Sequence, residues 1–227
     1  MPRWFLSTRA RLGLALAIAS LVSVLLFAIG ALRNHSSMWH YFVWNLFLAW
    51  VPLALMLWLE RILRHKLWSS WQALITTVLV IIFLPNAFYL TTDILHLQEV
   101  QRVDMLSDIV MLSSFVFNAF VIGLCTVYLL HSEIRRRRSE YVSWLAMGGV
   151  LLVTSFAIYI GRDLRWNSWD IAVNPASVLF DVSDRLLNIT SHPELFYVTL
   201  SFFLFITSIY VVAWYAARAL RQQNHSR

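Results

Sequence analysis

Arg135-Arg-Arg-Arg138, then Tyr141-Val-Ser-Trp-Leu-Ala-Met-Gly-Gly-Val-Leu-Leu-Val-Thr-Ser-Phe-Ala-Ile-Tyr-Ile160, then Gly161-Arg-Asp-Leu-Arg-Trp-Asn-Ser-Trp-Asp170. Within this stretch the chain passes from a run of cations, through a segment with no formal charge, into a polar segment bearing two tryptophans. About 20 residues at a rise of roughly 1.5 Å each make a helix that matches a hydrocarbon core of about 30 Å. A membrane-spanning helix is the reading. Lysine and arginine gather on the cytoplasmic side of such helices, so Arg135 to Arg138 mark the inside and Gly161 to Asp170 the outside.

The same pattern extends in both directions. Apolar runs predict spans at about 12–32, 39–59, 71–90, 108–130, 141–160 and 195–217. The chain therefore reads as an all-α membrane protein of six transmembrane helices, one integral membrane domain over 1–227. Ala15, Ala17 and Ala19 mimic a signal-peptidase site, but the apolar run continues well beyond them, which favours an uncleaved first span. Pro52 falls inside the second span, on one face with Asn45 and Ala49, and Pro85-Asn86 breaks the third near its end. His131 to Glu140 reads as a polar loop. Between the fifth and sixth spans, Asn174-Pro175 marks a helix start. An amphipathic outer-face helix follows near 175–189, with Leu179, Val182, Leu186 and Ile189 opposite Ser177, Asp181, Asp184, Arg185 and Asn188.

Charge fixes the expected orientation. The head, the second-to-third loop, the fourth-to-fifth loop and the tail hold three, three, four and three basic residues, thirteen of eighteen. Nine of the twelve acidic residues lie in the alternate segments. Both termini are expected in the cytoplasm. A pI of 9.9 would suggest nucleic acid in a soluble protein. With 59% hydrophobic and 13% charged residues, against about 25% charged in soluble domains, the basic residues are topology signals and no nucleic-acid partner is expected. Membrane lipid is the expected partner, with a second copy or another membrane protein as further candidates. The single cysteine, Cys125, reads as a small core hydrophobe.

Most outer charges suit helix ends. Asp104, Asp108 and Glu194 fall at helix N-termini, Arg162 and Arg165 at C-termini. Asp93 and Asp163 carry the wrong sign for the C-terminal ends near them, so each calls for a partner. These residues define a candidate outer-face polar site of Asp93, His96, Arg162, Asp163, Arg165, Asn167 and Asp170. Asn45, Asn86 and Asn118 are candidate intramembrane support beneath it. A stripe of Gly148, Leu152, Ser155, Tyr159, Arg162 and Trp166 is expected to face the bundle interior. The competing reading is an ion-pair lattice that only fixes helix ends. Asp93 and His96 at i, i+3 could touch a metal, but a site needs three or four ligands, so neither metal nor cofactor is expected. No phosphate loop, nucleophile elbow or HExxH motif appears.

Phe83-Leu-Pro-Asn-Ala-Phe-Tyr-Leu-Thr-Thr-Asp-Ile-Leu-His-Leu97 and Gly161 to Asp170 together resemble a bacterial membrane family, domain of unknown function 1361. The resemblance covers roughly 39–217 and implies a bacterial inner-membrane protein. It carries over no activity, ligand or catalytic residue. Three functions stay open at this point. The first is a module binding a small polar ligand, lipid headgroup or partner protein at the outer site. The second is a small secondary transporter, against which no span carries a mid-depth carboxylate. The third is a membrane-embedded enzyme on an outer-face lipid or glycan, with Asp93 and His96 as acid and base but no recognisable nucleophile.

Overall fold

The computed structural model describes residues 8–34, 40–92, 105–164, 166, 173–188 and 191–225. They form α1 (Thr8–Asn34), α2 (His40–Leu63), α3 (Trp71–Phe83), α4 (Pro85–Tyr89), α5 (Met105–Arg135), α6 (Glu140–Asp163), α7 (Pro175–Leu187) and α8 (Pro193–His225). No strand occurs among the described residues. Six stretches are long and apolar enough to cross a membrane, with α3 and α4 making one of them between Trp71 and Thr92. The chain is a multi-pass helical membrane protein.

The helices overrun the expected spans by about a turn, because hydropathy marks the hydrocarbon core while the backbone ladder continues into the interface. Helix α5 is the axis and packs against α1, α2, α4, α6 and α8. One core joins Met56, Leu84, Phe88, Leu130, Leu151, Ile158 and Tyr210. A second joins Leu16 of α1 to Phe42, Ala49, Ala87, Phe115 and Ile122. Outward-facing Leu21, Leu25, Phe47 and Phe117 are exposed, as expected where the solvent is lipid.

Two features hold the bundle in register. The hydroxyl of Ser20 accepts from Trp50 Nε1 and from Asn118 Nδ2, each at 3.0 Å, which ties α1, α2 and α5 together at depth. Asn118 thus serves the α1 interface. At Gly123 a Cβ would come within 2.8 Å of the Phe88 ring and 3.0 Å of Ala87, so glycine is what lets α5 close on α4.

The expected stripe on α6 is displaced. Its buried face runs through Ser143, Met147, Leu151, Thr154, Ser155, Ile158 and Tyr159, while Leu152 is exposed and nothing packs against Gly148. Polar members of this face are satisfied in different ways, Ser143 and Tyr159 by partners on α5 and α7 and Ser155 within its own helix. Ser155 returns its proton to the Leu151 carbonyl one turn back.

Candidate functional site

The third span ends at its proline. Pro85 has no N–H to continue the ladder, so Leu84 closes the preceding turn on Val80 O at 2.9 Å and α4 starts afresh. Asn86 Nδ2 donates to Phe83 O at 3.1 Å, across the break. The hydroxyl of Thr91 donates to Phe88 O, and that of Thr92 to Tyr89 O at 2.7 Å, so the last carbonyls of α4 are satisfied locally. Asp93 and His96 follow, outside the described residues.

Helix α6 runs past Gly161 to Asp163 and closes with Leu164 N–H on Ile160 O at 3.0 Å. The chain then doubles back, so Trp166 lies beyond the helix. Its carbonyl oxygen is 3.3 Å from where a Gly161 Cβ would sit, and the Tyr89 ring is 3.5 Å from the same point. The two sequence motifs therefore meet at their stems. A side chain at Gly161 would press on both.

Around this junction the described charges form one network. Tyr159, one turn before Asp163, donates its hydroxyl to Asp163 Oδ2 at 3.3 Å. Arg185 reaches across from α7 and places Nη2 3.3 Å from the same carboxylate. Its Nη1 donates to Tyr159 Oη at 3.2 Å, to His192 Nδ1 at 2.6 Å and to Glu194 Oε1 at 3.3 Å. His192 Nδ1 lies between this guanidinium and Glu194 Oε1, 3.2 Å away, and its Nε2 is 3.9 Å from Asp184 Oδ2. Trp166 Nε1 donates to Asp181 Oδ2 at 2.8 Å, a second tie between the α6 end and α7.

Arg185 is thus the partner that Asp163 called for. The sequence puts it on the polar face of an amphipathic helix, and His192 just ahead of the span at about 195–217. No local signal marks either as a hub, since their partners lie on other elements. Arg162 is half-buried on α6. Arg165, Asn167 and Asp170 lie outside the described residues. Asn86 belongs to the helix break and Asn118 to the α1 interface, while Asn45 is half-buried in α2. Among the described residues no three His, Cys, Asp or Glu side chains are placed to hold a metal.

Chemically, the arrangement presents carboxylate oxygens around one arginine. The Asp163 and Glu194 side chains are 42% and 44% exposed, whereas Arg185 is 19% exposed and shared among four groups. Comparison with curated proteins and with solved structures finds no match. The model of a family described as protein of unknown function (DUF1361) matches residues 44–209, a range that contains both converging motifs, and the chain belongs to that family.

Proposed function

We propose that this chain is a binding module of a bacterial inner membrane, with its termini in the cytoplasm and its site at the outward end. There the α4 and α6 motifs meet the Asp163–Arg185–Glu194 network. The ligand class that fits is a small organic cation. The observation that carries this reading is the convergence of the two motif stems at Tyr89 and Gly161 beside half-exposed carboxylates. Arg185 is already shared among Asp163, Glu194, Tyr159 and His192, so an anion there would have to compete with two carboxylates. The outer segments carry nine acidic and five basic residues, a field that concentrates cations. Tyr89 and Trp166, both half-buried, add aromatic faces at the same end, the usual complement to an organic ammonium.

The test is thermal unfolding of the full chain in nanodiscs with two probe sets, choline and spermidine against succinate and inorganic phosphate. The cationic probes should raise the melting temperature of the wild type, and Asp163→Asn should abolish that rise whatever it does to the baseline. Stabilisation by the anions alone, or by neither set, overturns the proposal.

A further inference from the structure

At the opposite end of the bundle the cavities tell a different story. An apolar groove of about 430 Å³ runs between α1, α2, α5 and α8, walled by residues such as Leu16, Leu57, Leu124 and Cys125 and widened by Gly13 and Ala213. Arg9 and Tyr128 stand on its lining and also on that of a neighbouring cavity of about 300 Å³. This second cavity is lined by four arginines, Arg9, Arg135, Arg136 and Arg218, and by no carboxylate among the described residues. The guanidiniums are partly committed. Arg9 bonds Glu60, Arg136 bonds Glu133 and Arg218 bonds Glu140, each through Nη1, while Arg135 holds Glu140 through both Nη1 and Nη2, so each of the four keeps further N–H donors.

A second observation points into the same place. Trp214 lines the arginine cavity, is 3% exposed, and its Nε1–H has no acceptor among the described residues. A buried indole N–H without an acceptor is uncommon and costly. Arginines at the mouth of an apolar groove match one kind of occupant: a molecule with an anionic, acceptor-rich head and a hydrocarbon tail.

We infer that this end of the bundle holds an anionic phospholipid, its phosphate among Arg9, Arg135, Arg136 and Arg218 and an acyl chain in the groove between α1 and α8. The site is independent of the proposed outward one. A free phosphate would use the arginines alone and leave the groove unfilled. A neutral lipid would use the groove and ignore the arginines. The joined geometry calls for both parts in one molecule.

Native mass spectrometry of the full chain released from nanodiscs tests this, with phosphatidylcholine alone and with phosphatidylcholine mixed with phosphatidylglycerol. The wild type should retain phosphatidylglycerol in preference to phosphatidylcholine. Arg136→Gln with Arg218→Gln should cut that preference by roughly tenfold, since each surface cation contributes to anionic-lipid binding. That pair leaves Glu133 bonded to Arg137 and Glu140 bonded to Arg135. Ala213→Phe, which fills the groove and touches no charge, should reduce retention as well, and it decides the matter if the double variant does not fold. Unchanged phosphatidylglycerol retention in Ala213→Phe overturns the inference, as does inorganic phosphate displacing the lipid from the wild type.

Discussion

At the scale of single residues, His131 is the best-determined side chain in the protein. It is fully buried, stacks on Trp214 at 4.0 Å and meets Trp144 edge-on at 4.6 Å. Its Nδ1 lies 2.6 Å from Tyr210 Oη and its Nε2 3.3 Å from Ser143 Oγ. Ser143 spends its own proton on Glu140 O, so it must accept from Nε2, and Nδ1 in turn accepts from Tyr210. One neutral tautomer satisfies every partner. His131→Ala should therefore lower unfolding stability by about 3 kcal/mol, through a cavity between two indoles and a buried hydroxyl left without its acceptor. His131→Phe keeps the ring stack but not the hydrogen bonds, so it should recover only part of the loss. Equal stability of His131→Phe and wild type in denaturant titrations would remove the hydrogen bonds from this account. The sequence pattern places His131 at the head of a polar loop, because charge begins there. Burial comes from α6 and α8 closing over one further turn of α5, and hydropathy does not register that.

Among the elements, α7 is the helix the sequence leads one to expect, with its stripes less cleanly divided. An apolar stripe was expected on one side and a polar stripe on the other. Instead Val182 faces the bundle with Asp181 and Arg185, packing near Tyr159, Ile160 and Leu195, while Leu179, Phe180 and Leu187 are 65%, 74% and 83% exposed. This mixing of the two stripes has a physical cause. At a membrane interface an outward leucine meets lipid rather than water, so facing out carries little penalty. An inward arginine, by contrast, finds Asp163, Glu194, Tyr159 and His192 already gathered. Amphipathicity was legible in the sequence and its direction was not, since direction depends on which partners the neighbouring helices supply. The six spans were legible for the opposite reason: each is decided by its own hydropathy. If Arg185 is the clasp, Arg185→Ala should speed amide exchange across Val178 to Leu187 several-fold while α5 and α6 stay protected. Uniform deprotection of the whole chain would instead mean that α7 folds as part of the core.

For the molecule as a whole, the gathering of Arg9, Arg64, Arg135, Arg136, Arg137 and Arg218 around linked cavities puts the N-terminal and C-terminal helices at one end of the bundle. In the orientation proposed above, which follows the positive-inside rule, that end faces the cytoplasm. The same arginines also neutralise buried carboxylates. Glu133, 3% exposed, accepts from Arg136 at 2.5 Å and from Arg137 at 2.6 Å, and Arg137 also covers Trp68. Orientation and folding therefore draw on the run differently, and one variant separates them. Arg136→Ala with Arg137→Ala still leaves eleven of the eighteen basic residues on the expected inner side, against five outside. Reporter fusions at Lys66 and Asn174 should accordingly stay on opposite sides, with Lys66 inside. Glu133, however, would be left buried without either cation, and stripping a buried carboxylate of its partners costs about 3–5 kcal/mol. The variant should insert correctly and unfold early. Adding Glu133→Gln, which removes the stranded charge, should restore much of the melting temperature without moving either reporter. Reporters that land on the same side in the wild type would overturn the six-span topology, and an Arg136/Arg137 variant as stable as wild type would show that the run acts as a topology signal alone.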